Sequence, residues 1–284
     1  MSERVKLLGP AEIRDLAELL GVTPTKKLGQ NFVIDANTVR RIVRVAGVDA
    51  GDRVVEIGPG LGSLTLGLLE AGASVVAVEI DGRLAEQLPM TVGVQADAPV
   101  AERLTVVHQD AMRVTELPGD PTRLVANLPY NISVPVLLHF LEHFGSIHAG
   151  VVMVQSEVGQ RVVAEPGSKI YGAPSVKAAW YGSWRTAGQV SRQVFWPVPN
   201  VDSILIAFQR HGAEPGNEAL RRRTFEIVDA AFQQRRKMLR QSLSALLGDS
   251  ATASAVLTRA GVVPTSRGEQ LTVHDFIAIA QAAG

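Results

Sequence analysis

The sequence predicts a doubly wound, Rossmann-like α/β domain followed by a small all-helical C-terminal domain. Three observations carry this. Short β-branched runs alternate with helix-spaced stretches from about residue 53, and a glycine-rich turn joins the first run to the first helix. A Gly/Pro break, HGAEPGN at 211–217, then separates this pattern from an all-helical remainder. The expected domains are therefore 1–210 and 211–284.

The strand candidates are RVVEI (53–57), SVVAVEI (74–80), LTVVH (104–108), RLVAN (123–127) and AGVVMVQ (149–155). Their near-continuous hydrophobicity is that of parallel strands covered on both faces. Between them LGSLTLGLLEAG, LAEQL and SVPVLLHFLEHF show helical spacing, the first closing on Gly72 as a C-cap. SVKAAWYG (175–182) and VDSILIAFQR (201–210) read as extensions of the sheet, as an antiparallel hairpin. Past the break, LRRRTFEIVDAAFQQ, RKMLRQSLSALLG ending at Gly248, and ATASAVLTRAG are helical, and Thr272 with Asp275 resembles a capping box.

With 284 residues and 46% hydrophobic content, the chain can bury the core of a large domain and a small one. No run approaches the roughly twenty apolar residues that span a bilayer. The N-terminus is polar and no cysteine is present, so a cytoplasmic monomer without disulfides or thiol chemistry is expected. Net charge is zero, yet residues 51–145 hold twelve acidic and only five basic residues. Positive charge gathers outside that span, as Lys26, Lys27, Arg40, Arg41 and Arg44, then as Arg221, Arg222, Arg223, Arg235, Arg236, Lys237 and Arg240. Each cluster alone reads as a solvated helix face. Two of them flanking an acidic middle also suit an RNA-facing surface.

VVEIGPGLGSLTLGLL places Glu56, Gly58, Gly60 and Gly62 where the first strand meets the first helix, near the point of a doubly wound sheet where ligands bind. Glycines there admit a close backbone approach to a ligand. Glu79, followed by Ile80, ends the second strand, where a carboxylate can accept from ribose hydroxyls. Asp110, followed by Ala111, ends the third and reads equally as a helix N-cap or as an acceptor for an adenine amino group. A dinucleotide site shares these features, but its fingerprint requires glycine where this chain has Ser63.

After the fourth strand comes Asn127-Leu128-Pro129-Tyr130. Adenine N6 is a poor nucleophile because its lone pair is delocalised, and positive charge develops on the nitrogen as it attacks a methyl group. A site for that step needs placed acceptors: the Asn127 side-chain oxygen and a backbone carbonyl, that of Leu128. Pro129 fixes φ and lacks an N–H, and Tyr130 offers a flat face to a base turned out of its stack. The alternative is an ordinary strand-to-helix turn.

With these residues in view, the chain strongly resembles the small-subunit ribosomal RNA adenine dimethyltransferase family (the KsgA type). KKLGQNF (26–32), GPGLGSLT, VAVEID, the Asp110 position, NLPYNIS, QSEVGQRVVAEPGSKIYG, FWPVPNVDS and RRKMLRQSL follow in family order over nearly the whole length. The resemblance implies a class I methyltransferase fold and S-adenosylmethionine as cofactor. It places Gln30, Asn31 and Val33 over that cofactor, with Gly58 and Gly60 near its methionine part. Glu79 and Ile80 fall at its ribose, Asp110 and Ala111 at its adenine. Asn127 and the Leu128 carbonyl would hold the target amine, with Tyr130 stacking on the base. Phe195 would give a second stacking face, or else be a core aromatic. The substrate implied is a pair of adjacent adenosines in the 3′-terminal hairpin of 16S rRNA, within a 30S particle or its precursor. Val33 stands where many relatives have Leu, and 90–102 looks like a small insertion.

Several features compete with this reading. His139, Glu142 and His143 match an H-x-x-E-H pattern, yet no third ligand is evident and no metal is expected. Trp180, Trp184 and Trp196 read as core or junction residues rather than RNA platforms. Three rival functions remain: a 23S rRNA methyltransferase of the macrolide-resistance type, a non-catalytic ribosome-assembly factor, and a nicotinamide dehydrogenase. NLPY rather than NIPY and the RRK-bearing helical domain favour the 16S reading over the 23S one. An intact NLPY argues against lost activity, and Ser63 with no hydride-transfer acid/base group near the sheet edge disfavours the dehydrogenase.

Overall fold

The structure, a computed structural model, describes residues 4–22, 31–129 and 132–284. Lys26, Lys27, Gln30 and Tyr130 lie outside the described residues. The chain forms two compact units: Met1–Gly159 with Arg185–Arg210, and Gln160–Trp184 with His211–Gly284.

The first unit begins with α1 (Pro10–Leu19), a two-residue strand β1 (Phe32–Val33) and α2 (Ala36–Val45). An alternating series follows: β2 (Arg53–Ile57), α3 (Ser63–Glu70), β3 (Ser74–Glu79), α4 (Gly82–Gln95), a short α5 (Ala98–Ala101), β4 (Leu104–His108), β5 (Arg123–Asn127), α6 (Ser133–His143), β6 (Ala149–Gln155) and α7 (Ser156–Val162). After α8 (Ala173–Tyr181) come β7 (Gly182–Val190), β8 (Phe195–Trp196) and β9 (Ser203–Arg210). Among the described residues, seven strands form one sheet in the order β4-β3-β2-β5-β6-β9-β7, with β1 and β8 pairing separately. β2 is parallel to both β3 and β5, so the order in which strands are added reverses at the β2/β5 boundary. In such sheets the crevice outside the strands' carboxyl ends at that boundary is the ligand site.

Burial follows from composition. Val54, Val55, Leu124 and Val125 are fully buried in the two central strands, as strands covered on both faces must be. LTVVH is the exception. As edge strand β4 it has a neighbour on one side only and stays partly exposed. Gly67 lets α3 approach α2 closely, because a Cβ there would lie 2.3 Å from Val39 Cγ1. Gly72, at φ +88°, follows the C-cap Ala71 in the left-handed conformation that a side chain would oppose. Within the stretch 90–102, residues 90–95 continue α4 and 98–101 form α5.

The second unit contains α8, α9 (Glu218–Gln233), α10 (Leu239–Ser242), α11 (Ser244–Leu247), α12 (Ser250–Arg259) and α13 (Val273–Ala283). The expected single helix ending at Gly248 is thus two short ones. The capping box of α13 is formed: Thr272 N donates to Asp275 Oδ2 at 2.8 Å, and Asp275 N to Thr272 Oγ1 at 3.3 Å.

Two expectations are corrected here. SVKAAWYG is mostly helix α8, started by Pro174 in its first turn, and the strand follows it at 182–190. The second unit also takes in 160–184, which a linear division at 210 leaves with the first. Trp180 and Tyr181 of α8 lie edge-on to Phe225 of α9 at 6.0 and 6.3 Å, and Tyr171 Oη donates to the Leu271 carbonyl at 2.8 Å. These aromatics bury large areas against the helices, an outcome that alternating periodicity cannot foretell.

Candidate active site

A cavity opens over the carboxyl ends of β2, β3, β4 and β5, lined among others by Asn31, Val33, Gly58, Gly60, Glu79, Ile80, Asp110, Ala111, Asn127 and Pro129. It encloses about 1160 Å³ of space between protein atoms, part of it open to solvent. Ten of the sequence-selected positions therefore converge on one place.

The floor is the glycine loop. Gly58, Gly60 and Gly62 adopt φ of +68°, +58° and +95°, the left-handed region that opposes a side chain. A Cβ on Gly58 would enter open space, so its backbone is accessible from the cavity, whereas one on Gly60 would meet the Phe32 ring at 2.9 Å. Phe32, not singled out in the sequence, thus lies directly on the loop.

Glu79 is almost wholly buried, and its Oε1 accepts from Ile80 N (2.9 Å) and Asp81 N (3.0 Å) while Oε2 accepts from Gly60 N (3.2 Å). A carboxylate offers about four acceptor positions, so Oε2 retains one that can face a ligand hydroxyl. Burial raises the Glu79 pKa above the ordinary carboxylate value, opposed by the three N–H groups. Beside it Glu56, 1% exposed, accepts from Thr65 Oγ1 at 2.6 Å. Burial, with the nearby Glu79 charge, pushes its carboxyl up to about 8 against the Thr65 hydrogen bond, so it is mostly protonated at neutral pH. Ile80 is exposed despite its size and forms an apolar part of the rim. Residues 111–113 form a turn rather than a helix, so Asp110 is not a helix N-cap; its Oδ1 accepts from Met112 N at 2.9 Å, and the residue lines the cavity.

At the far wall Asn127 Nδ2 donates to the main-chain carbonyl of Asn31 at 3.0 Å. A carbonyl can only accept, so this bond assigns which end of the amide is nitrogen. Asn127 Oδ1 has no hydrogen-bond partner among the described residues. Leu128 N donates to Met153 O at 3.1 Å, which ties the motif to β6, and the Leu128 side chain is buried away from the cavity lining.

Other selected positions behave differently. Phe195 is 1% exposed, paired with Val33 across β1–β8 and packed in the core. The core alternative describes it, and it presents no face to a base. Arg221 is buried, with its guanidinium over the Phe225 ring at 5.6 Å and 3.4 Å from Tyr181 Oη, so it is not part of an RNA-facing surface. Arg222 pairs with Glu218 and Arg223 with Glu226 along α9. Arg235 binds Glu269 at 2.9 Å and the Lys169 carbonyl at 2.5 Å. Arg236 and Lys237 are exposed and have no ion-pair partner among the described residues. His139 and His143 are engaged by the backbone carbonyls of Val114 and His139, and no metal-holding group exists among the described residues.

Similarity to known proteins agrees with this geometry. The profile of the family described as ribosomal RNA adenine dimethylase matches residues 22–283. The chain belongs to that family.

A ribosomal RNA small subunit methyltransferase A of Leifsonia xyli is 74% identical to this dimethylase over 97% of the chain and 98% of that protein. Among solved structures, a dimethyladenosine transferase from Plasmodium falciparum shares the fold. Its TM-score is 0.73 at 22% identity, over 86% of this chain and 94% of that one. The 23S rRNA methyltransferase ErmE is similar at a TM-score of 0.66 and 25% identity, over 89% and 99%. The dimethylase is a class I methyltransferase, and its cofactor is S-adenosylmethionine. The cavity suits that molecule: a glycine backbone open to it, one free carboxylate position on Glu79, an apolar shelf at Ile80, and Asp110 beyond.

Proposed function

We propose that this protein dimethylates the exocyclic N6 of two adjacent adenosines in the 3′-terminal hairpin of 16S rRNA, acting on the 30S subunit or its precursor in the cytoplasm. The observation that carries the reading is the Asn127 amide, anchored through Nδ2 to Asn31 at the cavity wall, its acceptor oxygen without a partner among the described residues. High identity to a small-subunit methyltransferase supports that subunit over the large one. Among the described residues, no helix is long and apolar enough to cross a membrane.

S-adenosylmethionine, when bound, supplies an electrophilic sulfonium methyl. Gly58 and Gly60 would receive its methionine arm, Glu79 would accept from the ribose with Ile80 packed against it, and Asp110 with Ala111 would meet the adenine. Val33 and Asn31 close the cavity from above. Asn127 Oδ1 and the Leu128 carbonyl accept from the target amine, drawing its lone pair out of the ring and stabilising the positive charge that develops on nitrogen. No strong base is needed, since the proton becomes acidic only once the nitrogen is alkylated. A monomethylated amine keeps one N–H, so Asn127 can hold it for the second round. Pro129 fixes the turn, and the family resemblance would have Tyr130 stack on the base. Arg236 and Lys237 contact rRNA phosphates.

The test is transfer of labelled methyl from S-adenosylmethionine to undermethylated small and large ribosomal subunits, with the modified base mapped. Dimethyladenosine in the 16S terminal hairpin is expected. Labelling of 23S rRNA alone would assign the protein to the activity that ErmE's name describes. Tight cofactor binding without transfer to either subunit would favour an assembly factor.

A further inference from the structure

Residues 31–34 form a strap whose fastenings reach both motifs of the site. Ser63, the first residue of α3, donates from Oγ to the Val33 carbonyl at 2.7 Å in a buried setting. Phe32 lies on Gly60, and Ile34 N donates to Val194 O at 2.8 Å. Two residues before Val33, the Asn31 carbonyl receives Asn127 Nδ2. The hydroxyl on the glycine loop and the acceptor amide on β5 therefore hold the same short piece of backbone.

We propose that Ser63 is a positioning residue for methyl transfer: by fastening Val33 it sets the Asn31 carbonyl, which in turn orients the Asn127 amide with Oδ1 toward the target amine. This rests on the function proposed above. A side-chain amide with no fixed partner rotates about χ2 and offers nitrogen or oxygen at small cost, because that torsion is broad. A nitrogen facing the substrate would donate where an acceptor is required, so part of the population would be unproductive. Alanine at 63 keeps the helix start, whose N-cap is Gly62, but leaves the buried Val33 carbonyl without this donor. A lost hydrogen bond of ordinary strength corresponds to about a fivefold effect.

The experiment is a double-mutant cycle with Ser63→Ala and Asn127→Ala, read by kcat on undermethylated small subunits and by amide hydrogen exchange over 32–34. Ser63→Ala is expected to lower kcat about fivefold in the wild-type background and to leave the residual rate of Asn127→Ala unchanged, because both act through one amide. Exchange at 32–34 should quicken in Ser63→Ala. Equal loss in both backgrounds, or unchanged exchange, overturns the proposal. If the wild type transfers no methyl group to either subunit, the functional reading fails, while the exchange comparison still tests the fastening by itself.

Discussion

Asn127 and Asn31 are joined by a hydrogen bond from the side-chain amide of one to the main-chain carbonyl of the other, 3.0 Å long across 96 positions of sequence. The Asn127 amide is thus held by residue 31 as well as by the strand pairing and the Leu128–Met153 hydrogen bond that fix the backbone around it. On the proposed reading, removing the Asn127 side chain would remove the acceptor assigned to the developing charge. Asn127→Ala is expected to lower kcat by roughly 10²–10³-fold, as loss of one preorganised group does, with cofactor affinity nearly unchanged. A variant that methylates at full rate would refute the assigned role.

In the proposed role Glu79 would bind the cofactor ribose through charge and geometry together. In Glu79→Gln one acceptor oxygen becomes an NH2 that must face the N–H of Gly60, or those of Ile80 and Asp81. Calorimetry should show S-adenosylmethionine affinity falling about tenfold to a hundredfold, the loss of a charge-assisted hydrogen bond. Because burial raises the Glu79 pKa, wild-type affinity should weaken on acidification at a higher pH than an ordinary carboxylate would dictate. The Gln variant should lack that titration.

Glu56 gives a pH signature of stability. Its carboxyl titrates near 8 in the folded chain against 4.5 as the reference value, so the folded state holds the proton more tightly. That contribution is full below about pH 4.5 and fades as pH rises through 8, amounting to on the order of 5 kcal/mol. Glu56→Gln retains an acceptor for the Thr65 hydroxyl but has no charge to bury. Thermal unfolding should show the variant matching wild type near pH 5 and exceeding it near pH 9. Parallel curves at all pH values would contradict a buried, titrating Glu56.

The basic residues of the second unit should separate into two kinds. Reversing Arg236 and Lys237 to Glu should weaken binding to small ribosomal subunits and flatten its salt dependence, by about 0.7–0.9 in log–log slope for each phosphate no longer neutralised. Arg221→Ala should leave the binding of folded protein unchanged but lower stability by roughly 1–3 kcal/mol, since its guanidinium is buried against Phe225. Unchanged subunit binding after the double reversal would make Arg236 and Lys237 merely solvated.

What the sequence determined by itself is the order of parts. Continuous β-branched runs state a parallel sheet covered on both faces, and Gly58, Glu79, Asp110 and Asn127 end or follow successive strands. Strand ends in a parallel sheet lie along one edge, so their meeting was legible without coordinates. Tertiary structure alone decided which selected residues are usable. Phe195 and Arg221 look like binding residues by type, yet burial against distant partners removes them, and one-dimensional pattern carries no distance. It placed 160–184 in the second unit, because aromatic packing between α8 and α9 outweighs sequence adjacency. It also gave meaning to Ser63, which the sequence offers only as a departure from a dinucleotide fingerprint. The oxygen that Ser63 binds is a backbone carbonyl thirty residues away, an atom every residue carries, so only its position in the fold could single it out.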